Sequence, residues 1–123
     1  QLLHDDIINF IHRSENFSIT SRKGFTKKLA NFLIALIFFE PSTRTRCSFE
    51  IAAKHLGATT LTIESAHSSL TKGESELDTI KNLAAMGVDT FIIRHPDENF
   101  FANIIPHFPP HIQFINAGTG TLH

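Results

Sequence analysis

The chain is expected to be an α/β protein, a three-layer doubly wound parallel sheet of about four strands with flanking helices. Three features point there. Short apolar runs alternate with stretches of helical periodicity, giving strand–helix–strand–helix–strand–helix–strand. Helical crossovers between successive strands make those strands parallel and put helices on both faces of the sheet. The first run, Phe32 to Phe39, is short and dense in apolar residues, as in a strand buried on both faces.

Leu3, Ile7, Phe10 and Ile11 share one helical face, so residues 2–12 read as an amphipathic helix. Residues 13–28 mix polar groups, scattered charge and Gly24 and read as a connector. Phe32–Phe39 is the first strand, closed by Pro41. Phe49, Ala52, Ala53 and Leu56 recur at i, i+3, i+4 and i+7, which predicts a helix over 44–56 with Gly57 as its stop. Thr59–Ile63 is the second strand, and residues 64–74 read as a polar, flexible loop. A second helix is expected from about Ser75, its candidate N-cap, to Met86, with Leu77, Ile80 and Ala84 inward and Gly87 ending it. Thr90–Ile93 is the third strand, followed by Arg94-His95-Pro96. A weaker helix over about 97–105 is broken by Pro106, Pro109 and Pro110. Gln113–Ile115 is the last strand, and Asn116–Gly120 is expected to be a loop. The polar segments after the strands (Ser42–Arg46, Ser65–Lys72, Arg94-His95 and Asn116–Gly120) would gather at the C-terminal edge, where open α/β sheets bind ligands.

At 123 residues and 41% hydrophobic content, the chain is long enough for one domain with a core. Eleven basic and 12 acidic residues leave a net charge of −1, which argues against a nucleic-acid coat or a membrane-surface binder, so any positive field is local. The single Cys47 argues against a disulfide framework or a cysteine zinc site and fits a reducing, cytoplasmic setting. The apolar stretch Leu29–Phe39 falls well short of the ~20 residues that span a bilayer. The start, Gln1 to Asp6, turns acidic at once, unlike a secretory leader. The missing initiator Met and the stop at His123 are expected of a piece of a longer chain.

The local positive field lies after the first strand. There Ser42, Thr43 and Thr45 interleave with Arg44 and Arg46 where a helix begins. Free backbone N–H groups, the helix dipole and planar cationic forks converge there on a phosphate or carboxylate. The plain alternative is an N-cap with solvated arginines. The spacing is not that of a P-loop or of a glycine-rich dinucleotide turn, so a small phosphorylated ligand fits better than a nucleotide. Arg94, at a strand end on the same edge, is a candidate charge clamp, its alternative being a surface ion pair. A lone loop lysine such as Lys72 is by default solvated. Cys47 lies in the first helical turn beside two arginines, but a cysteine phosphatase needs its cysteine ahead of the anion loop, so it reads as a packing residue. The eight histidines show no metal pattern, and Pro109-Pro110 between His107 and His111 argue against a helical zinc pair.

The run Phe38-Phe39-Glu40-Pro41-Ser42-Thr43-Arg44-Thr45-Arg46-Cys47-Ser48-Phe49-Glu50 resembles the signature of the aspartate and ornithine transcarbamoylases. Lys72-Gly73-Glu74-Ser75 with Asp78-Thr79, then Arg94-His95-Pro96, then Ile115-Asn116-Ala117-Gly118, resemble their next three motifs, in order. Glu40-Pro41, Lys72 and His95-Pro96 side with the aspartate branch. Thr119 stands where the pattern has an acidic residue.

The resemblance implies that residues 1–123 form a carbamoyl-phosphate-binding domain, with the aspartate-binding domain outside this sequence. The implied reaction moves a carbamoyl group from carbamoyl phosphate to the amine of L-aspartate, in pyrimidine biosynthesis, without metal, cofactor or covalent intermediate. Ser42, Thr43, Arg44 and Thr45 would hold the phosphate. Arg94 and Thr45 would polarise the carbonyl, so that Arg44, Thr45 and Arg94 carry the catalysis. Ser69 and Lys72 would reach into a neighbouring subunit's site in a homotrimer, which leaves room for a regulatory chain. Two alternatives stay open: an ornithine carbamoyltransferase with the same phosphate half-site, and a non-catalytic anion-binding or assembly module.

Overall fold

In the computed structural model, which describes residues 29–64 and 74–119, four strands form one sheet, all parallel. Its order is β2-β1-β3-β4. β1 (Leu33–Phe38) and β3 (Thr90–His95) are central; β2 (Thr59–Glu64) and β4 (Gln113–Thr119) are the edges. The expected N-terminal helix over 2–12, the connector 13–28 and nearly all of the polar loop after β2 lie outside the described residues.

Each strand's composition follows its place. β3 is buried throughout and β1 is buried from Ile34 onward, so both read as near-continuous apolar runs. β2 is half-open to solvent, and its threonines and Glu64 suit an edge that must not recruit further strands. The period of two sends alternate residues to opposite faces. Ile34, Leu36 and Phe38, with Ile92 and Ile115, pack under Phe49, Ala52, Ala53 and Leu56, the apolar stripe of α1 (Thr43–His55) and its cap. Ala35, Ile37, Phe91 and Ile93 pack under Ile80 and Leu83 of α2 (Glu74–Ala85) and under Phe100 and Ile104 of α3 (Phe100–Ile104). This makes three layers.

The chain leaves β1 outward to β2, then returns past β1 to β3 and goes on to β4. Right-handed crossovers in opposite directions place α1 and α2 on opposite faces. They also open a crevice between the C-terminal ends of β1 and β3. α1 stops in a Schellman motif: Gly57 N–H donates to Lys54 O (3.0 Å) and Ala58 N–H to Ala53 O (3.0 Å). Gly57 supplies the required left-handed conformation at φ 93. The same pair of bonds closes α2, from Gly87 to Ala84 and from Val88 to Leu83.

Several boundaries differ from the sequence reading. β3 runs past Ile93 through His95, so Arg94 and His95 are strand residues. The expected loop over Asn116–Gly120 is strand as far as Thr119. Ile93 pairs with Asn116 but His95 with Thr119, so β4 carries one extra residue in a bulge that keeps the ladder going. Ser75 lies in the first turn of α2 and not ahead of it. The last helix spans only Phe100–Ile104 before a 3₁₀ turn, Ile105–His107, takes over at Pro106, which has no N–H for an α-helical ladder. No described helix is long and apolar enough to cross a membrane.

Ile92 is fully buried where α1 meets the sheet, whereas Met86 is 70% exposed. Ile92→Ala is expected to lower unfolding free energy by about 3 kcal/mol, and Met86→Ala by less than about 0.5 kcal/mol, in urea titrations of the two variants. Equal effects would contradict the packing described.

Candidate active site

The crevice is built from the residues that leave β1. Register places Phe38 beside Arg94, and Phe39 N–H donates to Arg94 O (2.9 Å). The chain then turns through Glu40 and Pro41 into α1, with Ser42 at the N-cap position. Ser42 O accepts from Arg46 N–H (2.9 Å), but the Ser42 hydroxyl makes no capping bond, and the first turn carries no acidic residue. The helix therefore begins with its early N–H groups uncapped by a side chain and with the positive end of its dipole uncompensated. Ser42 and Thr45 are half-buried there, while Thr43 and Arg44 are exposed.

The two arginines of this turn separate. Arg44 pairs with no carboxylate among the described residues. Arg46 is engaged by charge: its Nε lies 3.0 Å from Glu64 Oε2 at the end of β2, without a directed hydrogen bond, and its Nη1 lies 3.6 Å from Glu50 Oε1 one turn on. Glu50 also accepts from the Thr62 hydroxyl (3.4 Å) and sits 3.9 Å from Lys54 Nζ. Arg46 thus ties the start of α1 to the edge strand, which corrects the expectation that both guanidinium groups face one anion.

Arg94 shares the face of Ile92, toward α1. It is 9% exposed. Its Nη1 donates to Ala117 O (3.2 Å), and its Nε lies 3.4 Å from Glu40 Oε1. The bulge makes the first contact available. Gly118, at φ 122, takes up the extra residue, and its N–H donates to Asn116 Oδ1 (2.8 Å). The second contact is a charge pair without a directed hydrogen bond: neither Arg94 Nε nor Glu40 Oε1, both shielded from solvent, has a hydrogen-bond partner among the described residues. Arg94 therefore keeps donor capacity at the crevice.

His95 points to the opposite face, stacked on Phe100 (centroids 4.2 Å apart) and close to Phe39 (5.1 Å). Its Nδ1 accepts from Asp97 N–H (2.9 Å), which leaves the ring proton on Nε2. Nε2 donates to both oxygens of Glu76 (3.1 and 3.2 Å). Of the residues singled out in the sequence, Ser42, Thr43, Arg44, Thr45 and Arg94 meet at this edge; Ser69 and Lys72 lie outside the described residues. The sequence reading gives neither Glu40 nor Glu76 a partner. Glu40 borders a strand end, which hints at a partner for a strand-end arginine. Glu76 lies 19 positions from His95, and nothing in the sequence couples them. Among the described residues, no three His, Cys, Asp or Glu could together hold a metal ion.

A buried arginine at the switch point of a parallel sheet, with an uncapped helix start at the same edge, has the charge and donors suited to a small anion. The family model described as aspartate/ornithine carbamoyltransferase, carbamoyl-P binding domain, matches residues 1–123. The chain belongs to this family. Within it, the chain is 58% identical over 103 residues to the aspartate carbamoyltransferase catalytic subunit of Prosthecochloris aestuarii, covering 84% of this chain and 32% of that one. The catalytic subunit of M. jannaschii aspartate transcarbamoylase has the same fold, with a TM-score of 0.69 and 34% identity over 96% of this chain and 37% of its own. The aspartate transcarbamoylase of Trypanosoma cruzi, solved with carbamoyl phosphate and aspartate, gives 0.68 and 29%, over 95% of this chain and 36% of its own. The chain thus spans about a third of the length of the carbamoyltransferases it matches.

Any residue other than glycine at position 118 would be held in a strained left-handed conformation. Gly118→Ala is expected to cost about 1–3 kcal/mol of stability in denaturant titration. An unchanged midpoint would mean that the bulge has no need of a glycine.

Proposed function

We propose that this chain supplies the carbamoyl-phosphate half-site of an aspartate carbamoyltransferase. The observation that carries the reading is the start of α1, uncapped and carrying an Arg44 that pairs with no carboxylate among the described residues, at the same edge as a buried Arg94 that retains donor capacity. The phosphate would lie on the first-turn N–H groups, held by Ser42, Thr43, Arg44 and Thr45. Arg94 and Thr45 would face the carbamoyl oxygen. The aspartate amine attacks the carbonyl carbon, and negative charge grows on that oxygen, where fixed donors stabilise it. A new C–N bond forms, the C–O bond to phosphate breaks, and the nitrogen's proton passes to the departing phosphate. The products are N-carbamoyl-L-aspartate and phosphate, in pyrimidine biosynthesis. Holding two small anions in reacting geometry supplies much of the rate.

On this reading residues 1–123 are the carbamoyl-phosphate-binding domain, and the groups that bind aspartate lie outside it. Ser69 and Lys72 would complete the site of a neighbouring subunit in a cytoplasmic homotrimer, with which a regulatory chain could associate. No cofactor enters the reaction as written. Glu40 would neutralise Arg94 in the empty site. Because their contact is poorly directed, an arriving ligand can offer Arg94 better acceptors at little loss. An ornithine enzyme would use the same half-site; the 58% identity to an aspartate enzyme favours aspartate.

Arg44 is exposed and has no carboxylate partner among the described residues, so Arg44→Ala is expected to leave the fold unchanged. In calorimetric titration with carbamoyl phosphate the same variant should lose at least about tenfold in affinity. Undiminished affinity would remove the phosphate from this turn.

A further inference from the structure

Arg94 and His95 are consecutive on β3, and each is fixed by a residue that leaves β1. Phe39 N–H bonds the Arg94 carbonyl while the Phe39 ring packs on the His95 ring. Glu40 pairs with the Arg94 guanidinium. The two strand ends are interlocked crosswise, so the ring of His95 and the guanidinium of Arg94 sit on opposite faces of one short segment. What fixes one face bears on the other.

The His95 ring is fully specified. It is 8% exposed, stacked on Phe100, bonded at Nδ1 by Asp97 N–H, and bonded at Nε2 to Glu76. The side chain of Glu76 is itself only 14% exposed and comes from the first turn of α2, a different element on the far face. A half-buried carboxylate spread over one N–H is an expensive arrangement for packing alone, where an apolar residue would serve. Its geometric effect is to pin the last residue of β3 to α2.

We propose that Glu76 and His95 are positioning residues for Arg94: the Glu76–His95 hydrogen bond fixes the end of β3, and through it the direction of the Arg94 guanidinium on the other face. The effect on ligand affinity rests on the carbamoyl-phosphate reading above; the effect on Arg94 itself does not.

The test uses the full encoded chain with Glu76→Ala, Glu76→Asp and Glu76→Gln. Gln keeps an acceptor for His95 Nε2–H. Asp keeps the charge but withdraws it by one methylene. Ala removes both. Two quantities are read: hydrogen exchange of the Arg94 Nε–H by NMR, without ligand, and affinity for carbamoyl phosphate. Exchange at Arg94 is expected to rise about tenfold in Glu76→Ala and measurably in Glu76→Asp, and to stay within about twofold of wild type in Glu76→Gln. Affinity should follow the same order, with unfolding midpoints that do not. Wild-type exchange at Arg94 in both Glu76→Ala and Glu76→Asp overturns the proposal, as does a Gln variant no better than Ala. If Glu76→Ala does not fold, Glu76→Asp against Glu76→Gln decides alone. If the wild-type chain does not bind carbamoyl phosphate, the proposed function fails while the exchange measurement still decides the role of Glu76.

Discussion

Removing a guanidinium from water costs several kcal/mol unless its charge and donors are met. Arg94 imposes that demand at the end of a central strand whose preceding residues are apolar or fully buried. Much of the C-terminal edge is shaped by the answer. Glu40 is brought across from the exit of β1. Ala117 turns a carbonyl inward because β4 bulges at Gly118. Neither partner uses up the guanidinium, since the Glu40 contact has charge but not direction. Burial therefore leaves a stiff cation with donors in hand, which a ligand can use without first paying to organise it.

The start of α1 supplies the complementary half. Its N-cap hydroxyl is not spent on a cap, and of Arg44 and Arg46 the more exposed is the one without a carboxylate among the described residues. Arg46, two residues on, is taken by Glu50 and Glu64 and holds α1 to the edge strand. One arginine of the pair is anchored, and the other, Arg44, has no carboxylate partner among the described residues. Such a division keeps the turn rigid while its charge remains available. Topology then sets the two halves together, because the switch of direction between β1 and β3 places the α1 start and the Arg94 strand end on one crevice.

Much of this was legible in the sequence. Periodicity located every described strand and both long helices, since apolar alternation of two and of 3.6 are strong signals when a sheet is covered on both faces. The glycine stops were legible because Gly57 and Gly87 serve the same capping geometry. Where the reading failed, a tertiary contact overrode local chemistry. Asn116–Thr119 looks like a loop but stays in the sheet because β3 continues beside it and a bulge absorbs the mismatch. Arg44 and Arg46 look equivalent in sequence; only the approach of β2 brings Glu64 to one of them. The Glu76–His95 bond joins residues on different elements, with no local pattern to announce it.

The central claim is that a small phosphorylated donor lies across the start of α1 with its carbonyl toward Arg94. A crystal structure of the full encoded chain with an unreactive carbamoyl-phosphate mimic, a phosphonate carrying an amide, tests it most directly. The account predicts the phosphonate oxygens within hydrogen-bond distance of the first-turn N–H groups and Arg44, and the amide oxygen facing Arg94. A mimic bound elsewhere, or no mimic in the crevice at saturating concentration, would contradict it.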